Sequence, residues 1–325
     1  MQLSALSLLF SKGRVKAMLN IYRSNEFGEL VERTDFEKGC WVHLTEPTQA
    51  EIQHVCDAFA IDQEFFRDAL DEGERARIEK DEDGTMLIVE IPVLSSDDKI
   101  RTIPLGIAIQ NDCFITICLT NTPILEDFVS GRVKHFHTFM KTRFVLQILY
   151  RMAFYYLLYL KQINQRREKM EEALHKSVRN KELFSLLEIE KSLVYFTTAL
   201  TKNNILLEKL FNGSSLKIYE EDKELLEDVM IETRQAIAMT EVYSSIMSSM
   251  MNAFASVISN NVNHVVKILT AITIVLALTT MIASIYGMNV ELPLQNYNHA
   301  FSIIMLLSLV SALVTSLIFW KKKYF

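Results

Sequence analysis

The 325-residue chain is half apolar and carries 34 basic and 40 acidic side chains, a net charge of -6. That balance gives no general attraction to nucleic acid, and its acidic surface suits cations instead. Nine glycines and five prolines exclude a low-complexity, disordered or loop-rich β chain, and the length implies two or three structural units.

Residues 1–10 hold a short apolar stretch with no basic residue before it and no small-residue cleavage site after it, so they are not read as a signal peptide. From Lys16 to about Thr120 the pattern is mixed. Residues 17–22, 40–44, 86–94, 103–109 and 113–119 alternate or are rich in β-formers, which predicts strands. Asn111-Asp112 predicts a hairpin turn, and residues 95–99 link another strand pair. Thr48 and Glu51 have the spacing of a capping box for a helix to about Phe59, and a second helix is expected over 63–71. Cys40, Cys56, Cys113 and Cys118 lack metal-site spacing and read as buried, reduced thiols. Residues 1–121 are thus expected to form a soluble α/β domain.

Residues 122–264 read as a helical stalk domain. Thr122-Pro123 starts a helix, and 139–178 is expected to be one long helix. Within it 144–160 is apolar, but Arg151 sits at its middle, and an arginine at mid-bilayer costs about 2.5–3.5 kcal/mol. A buried helix of a soluble region is therefore predicted. Residues 180–211 form the next helix, and Asn212-Gly213-Ser214-Ser215 breaks it. From Asp222 no helix breaker occurs until Gly287, which predicts a helix of roughly 100 Å. Asp222, Glu224, Glu227 and Asp228 crowd its start, where negative charge suits the helix dipole. Met239, Val242, Ile246, Met250, Ala253 and Val257 recur at helical spacing, with Tyr243, Met247, Phe254 and Ile258 beside them. Two such stripes serve core packing and packing against other copies of the chain.

Residues 265–325 read as a transmembrane hairpin. Two uncharged runs, 268–286 and 300–320, are each long enough to cross about 30 Å of hydrocarbon. Lys267 precedes the first and Lys321, Lys322 and Lys323 follow the second, while 290–299 carries no lysine or arginine. The positive-inside rule then places the large domain and both termini in the cytoplasm. One face of the first span carries Asn263, Val266, Leu269 or Thr270, Thr273, Ala277, Thr280 and Ser284, leading to Gly287. Such a small, hydroxyl-bearing stripe serves either close helix packing or pore lining. Ser308, Ser311 and Thr315 form a packing edge on the second span. Two spans cannot enclose a channel; several copies can.

Tyr286-Gly287-Met288-Asn289, between the only two spans and after a long helix, resembles the signature of the CorA family of magnesium channels. Further likeness lies in Asn260-Asn261-Val262-Asn263, Lys267-Ile268-Leu269-Thr270, Trp41-Val42-His43-Leu44, and the run from Arg67-Asp68-Ala69-Leu70 through Arg77-Ile78-Glu79. The resemblance implies a funnel-shaped homopentamer in the cell membrane, with the first span lining the pore. It implies an outer ion-binding ring of Gly287, Met288 and Asn289, whose neutral oxygens hold hydrated Mg²⁺ without the grip of carboxylates. Glu291 is either an ordinary loop acid or a concentrator of cations there. The resemblance also implies that cytoplasmic Mg²⁺, bound across subunits by Asp68 and Asp228, closes the pore. Ala277 stands where relatives often carry a larger residue, and a zinc transporter of the related ZntB branch is the alternative. A membrane-anchored scaffold or sensor is the alternative of another class. An enzyme is not expected: no Walker-type loop, HExxH or Gly-x-Ser-x-Gly occurs.

Overall fold

A computed structural model describes residues 19–80, 84–95, 99–110, 113–176, 180–212, 216–293, 299–322 and 324. It divides into two compact units, Met1–Met247 and Ser248–Phe325.

The first unit is built on one seven-stranded sheet in the order β2-β1-β3-β7-β6-β5-β4. Its strands are β1 (Leu19–Ser24), β2 (Leu30–Arg33), β3 (Cys40–Thr45), β4 (Arg77–Lys80), β5 (Gly84–Leu94), β6 (Ile100–Gln110) and β7 (Cys113–Cys118). Among the described residues only β3 and β7 pair in parallel. Two-residue alternation splits the central strands between two cores. Cys40, Val42, Leu44, Cys113, Ile115 and Ile117 face a cluster closed by Phe65, Phe66 and Ala69. Trp41 and Phe114 point the other way, into an aromatic cluster with Phe128, Phe136 and Phe144. The four cysteines are buried and unpaired with one another, as their spacing predicts.

Helices cover both faces. Thr48 caps α1 (Gln49–Phe59), and both halves of its capping box with Glu51 are formed. Next comes α2 (Gln63–Ala69), which passes so close to the sheet that a Cβ at Gly106 would lie 2.6 Å from that of Ala69. Thr122 caps α3 (Pro123–Val129). The long helices α4 (Lys141–Lys176) and α5 (Asn180–Phe211) follow.

The expected burial of 144–160 is met: Phe144, Ile148, Met152, Tyr156 and Leu160 are each fully buried. Arg151 reaches Asp127, whose carboxylate also takes Arg132 at 2.8 Å and the Tyr155 hydroxyl at 2.9 Å. Its charge thus has a partner on α3, which removes any need for solvent or a membrane surface.

Beyond the end of the β4 pairing at Arg77 and Ile88, the backbone of Glu90 has no strand partner on that side. The helices serve it instead: Glu90 N–H donates to Asn203 Oδ1 at 3.0 Å, and its carbonyl accepts from the Tyr156 hydroxyl at 2.9 Å and the Asn203 amide at 2.7 Å. Helices α4 and α5 thereby complete the sheet's hydrogen bonding as well as its packing.

A 3-10 turn, Glu220–Asp222, leads into α6 (Lys223–Tyr286), a single helix of 64 residues that passes from the first unit into the second. The final helix is α7 (Ala300–Lys321). The predicted turns at Asn111-Asp112 and 213–215, and residues 96–98, lie outside the described residues, as do residues 1–18.

Candidate ion entrance, pore face and regulatory carboxylates

Helix α6 unwinds at Gly287, whose N–H reaches the carbonyls of Ala283 and Ser284 at 3.0 and 3.1 Å. The turn leaves Gly287, Met288, Asn289 and Glu291 exposed and Tyr286 half-buried. Asn289 has no hydrogen-bond partner among the described residues, so its carboxamide is open to a ligand. A Cβ at Gly287 would meet only two backbone oxygens, at 3.5 and 3.6 Å, which is ordinary contact. The packing of one chain does not demand glycine there.

Within the second unit, α6 has two distinct sides. Ile268, Val275, Leu278, Thr279, Ile282 and Tyr286 are half-buried and Ala271 fully buried, all on one stripe. Val266, Leu269, Thr273, Ala277, Thr280 and Ser284 are exposed, and so is Asn263. At 3.6 residues per turn the centres of the two stripes lie about 180° apart. The covered stripe is mainly apolar, with Thr279 and Tyr286 on it, while the stripe carrying Thr273, Thr280 and Ser284 is left exposed together with Ile272, Leu276 and Met281 beside it. Ser308, Ser311 and Thr315 of α7 are half-buried, as a packing edge should be.

Two hydroxyls on the exposed stripe are oriented. Thr273 donates to the Leu269 carbonyl and Thr280 to that of Leu276, both at 2.8 Å. Each proton is thus turned back along the helix, and the oxygen lone pairs face outward. An uncharged row of acceptors suits a hydrated cation, whose water protons point away from the ion.

The predicted apolar stripes of α6 also part company. Met247, Met250 and Phe254 are buried and Met239 and Tyr243 half-buried, whereas Val242, Ile246, Ala253, Val257 and Ile258 are exposed.

Asp68 and Asp228 both belong to the first unit. Asp228 lies exposed near the start of α6, without an ion-pair partner among the described residues. Asp68 is half-buried on α2, and its Oδ2 accepts from Arg77 Nη2 at 2.8 Å. Arg77 is a hub: it also binds Glu79 at 2.6 Å and Glu74. No hydrogen bond or ion pair joins Asp68 to Asp228, and among the described residues no three acidic, histidine or cysteine side chains of one chain form a metal-binding group. The sequence pattern did not expose this hub, since its members sit on α2, a loop and β4; the alternation of Arg75, Arg77 and Glu79 was its one local sign.

A family model for CorA-like Mg²⁺ transporter proteins matches residues 36–323. The chain belongs to that family. It is 29% identical over 269 residues to the cobalt/magnesium transport protein CorA of Methanocaldococcus jannaschii, covering 79% of this chain and 82% of the relative. The complete structure of the CorA magnesium transporter from that organism superposes with a TM-score of 0.82 at 26% identity, over 96% of this chain and 100% of the other. The ZntB cytoplasmic domain from Vibrio parahaemolyticus shares the fold alone, with a TM-score of 0.57 at 12% identity, over 75% of this chain and 97% of that domain. As a CorA-family structure the chain has a soluble α/β domain, a long helix and two C-terminal helices long and apolar enough to span a membrane.

Proposed function

We propose that this chain forms a homopentameric channel of the cell membrane that imports Mg²⁺, with Co²⁺ and Ni²⁺ as further cargo, down the membrane potential. A divalent ion crossing 100 mV gains about 4.6 kcal/mol, so no nucleotide is needed. The observation that carries this reading is the separation of faces on α6. A scaffold anchored by two spans has no use for an uncharged row of lone pairs held free of the chain's own packing, whereas a pore does. In this reading Asn263, Val266, Leu269, Thr273, Ala277, Thr280 and Ser284 line the path, and residues 265–325 form its membrane hairpin.

The entrance is assigned to Tyr286, Gly287, Met288 and Asn289, with Glu291 drawing cations toward it. Five copies of an unpartnered Asn289 amide supply neutral acceptors to a hydrated ion, which gives up its waters reluctantly. The tolerance of one chain for a side chain at Gly287 supports a demand for glycine that comes from assembly or from the ion. Asp68 and Asp228 are assigned to inhibitory Mg²⁺ at the interface between copies of the 1–121 and 122–264 regions. Both termini are assigned to the cytoplasm.

Flux into proteoliposomes, with magnesium, cobalt, nickel and zinc in turn, tests the reading. Asn289→Ala is expected to abolish selective Mg²⁺ uptake. Equal flux in both proteins removes Asn289 from the entrance, zinc flux without magnesium flux moves the chain to the zinc branch, and no flux of any ion supports an anchored scaffold.

A further inference from the structure

We propose that Arg77 is a built-in counter-ion that competes with the divalent cation at Asp68 and so sets the concentration at which that carboxylate is occupied. The inference rests on the assignment of Asp68 to regulatory Mg²⁺. A carboxylate oxygen suits Mg²⁺ in hardness and charge, but Asp68 does not present a bare one. Its Oδ2 is held by Arg77 at 2.8 Å, and Arg67 Nε stands 3.9 Å from Oδ1. Side-chain exposures of 29% for Arg77 and 26% for Asp68 place the pair largely out of water, where screening is weak.

Arg77 also has somewhere else to go. Glu74 and Glu79 bind the same guanidinium through Nη1 and Nε. Asp68 can therefore be given up to a divalent ion while Arg77 stays anchored by two carboxylates. Loss of a proton does not free it: burial pushes the guanidinium down, but the hydrogen bonds to Glu79 and Asp68 outweigh it and push it up. Only displacement by another cation does so. A planar fork binding three acids is a task lysine performs poorly, since an ammonium is a point charge on a flexible stem. Occupancy of Asp68 is thus an exchange of one cation for another, set to a higher Mg²⁺ concentration than a free carboxylate requires.

Protection of the full-length chain from chymotrypsin is measured against Mg²⁺ at constant ionic strength, with no transport involved. For Arg77→Gln the protection midpoint is expected about tenfold lower than for wild type, since one charge-assisted hydrogen bond exceeds the 1.4 kcal/mol per decade. Arg77→Lys is expected between the two. Asp68→Asn is expected to lose protection at every concentration. If Asp68→Asn loses protection but the Arg77→Gln midpoint stays within twofold of wild type, the counter-ion role fails and the regulatory assignment stands. If wild type shows no protection, or Asp68→Asn keeps it, both fail.

Discussion

The two units of this chain solve opposite problems. In the first, even charges are buried with partners: Asp127 is wholly inaccessible yet bound by two arginines and a tyrosine. In the second, only 6% of the apolar window of α6 and none of that of α7 is buried. A chain in water does not leave two apolar helices uncovered, so the second unit is finished by something outside it. The first unit carries its environment within itself, and in the proposed channel the second takes one from lipid and from neighbouring copies.

The contrast is sharpest at charges. Asp127→Ala strips Arg151 and Arg132 of their shared anion, and breaking such a buried pair costs about 3–5 kcal/mol. A clear fall in the urea midpoint of full-length protein in detergent, followed by Trp41 fluorescence, checks this. An unchanged midpoint would mean that the buried network contributes nothing. In the second unit, Leu309→Arg on α7 is expected to cost about 2.5–3.5 kcal/mol of apparent membrane insertion. Ala277→Arg is expected to insert more readily than Leu309→Arg while stopping cation flux, because in the proposed channel its stripe faces a wet path. Equal insertion costs would make that stripe lipid-facing.

Packing gives the next effect in size. Gly106→Ala forces a methyl against Ala69 and Ile117, where the built Cβ lies 2.6 and 2.7 Å from their carbon atoms. Overpacking of this kind costs about 1–3 kcal/mol. The urea midpoint is expected to fall, with membrane insertion untouched. The smallest effect concerns Asp222, beside the start of α6. Burial pushes its carboxyl up, while Arg143 at 3.6 Å lowers it and Glu221 adds to the rise. A raised carboxyl contributes stability below the ordinary carboxylate value and loses it as the pH climbs through the folded value. Asp222→Asn is therefore expected to flatten the decline in urea midpoint as the pH rises above about 4, the ordinary carboxylate value. A variant whose decline matches wild type would remove Asp222 from that slope.

Much of this architecture was legible in the residues. The five predicted strands correspond to β1, β3, β5, β6 and β7, because buried central strands read as β-branched or alternating runs. Strands β2 and β4 were not legible. Both lie at the edges of the sheet, are short, and carry Glu32, Arg33, Glu79 and Lys80, the polar character that guards an edge and erases the apolar signal. The Arg151 argument reached the right environment from its cost alone, without revealing Asp127 as the partner.

Sequence by itself determined the two helices long and apolar enough to span a membrane, the single long helix and the family signature at Gly287-Met288-Asn289, since each depends on local composition, periodicity or adjacency. Tertiary structure alone decided which face of α6 is covered, which carboxylates Arg77 gathers, and which helices serve the Glu90 backbone where β4 ends. These are contacts between residues tens of positions apart. Their energies depend on distance and desolvation, and no local pattern in the chain encodes either.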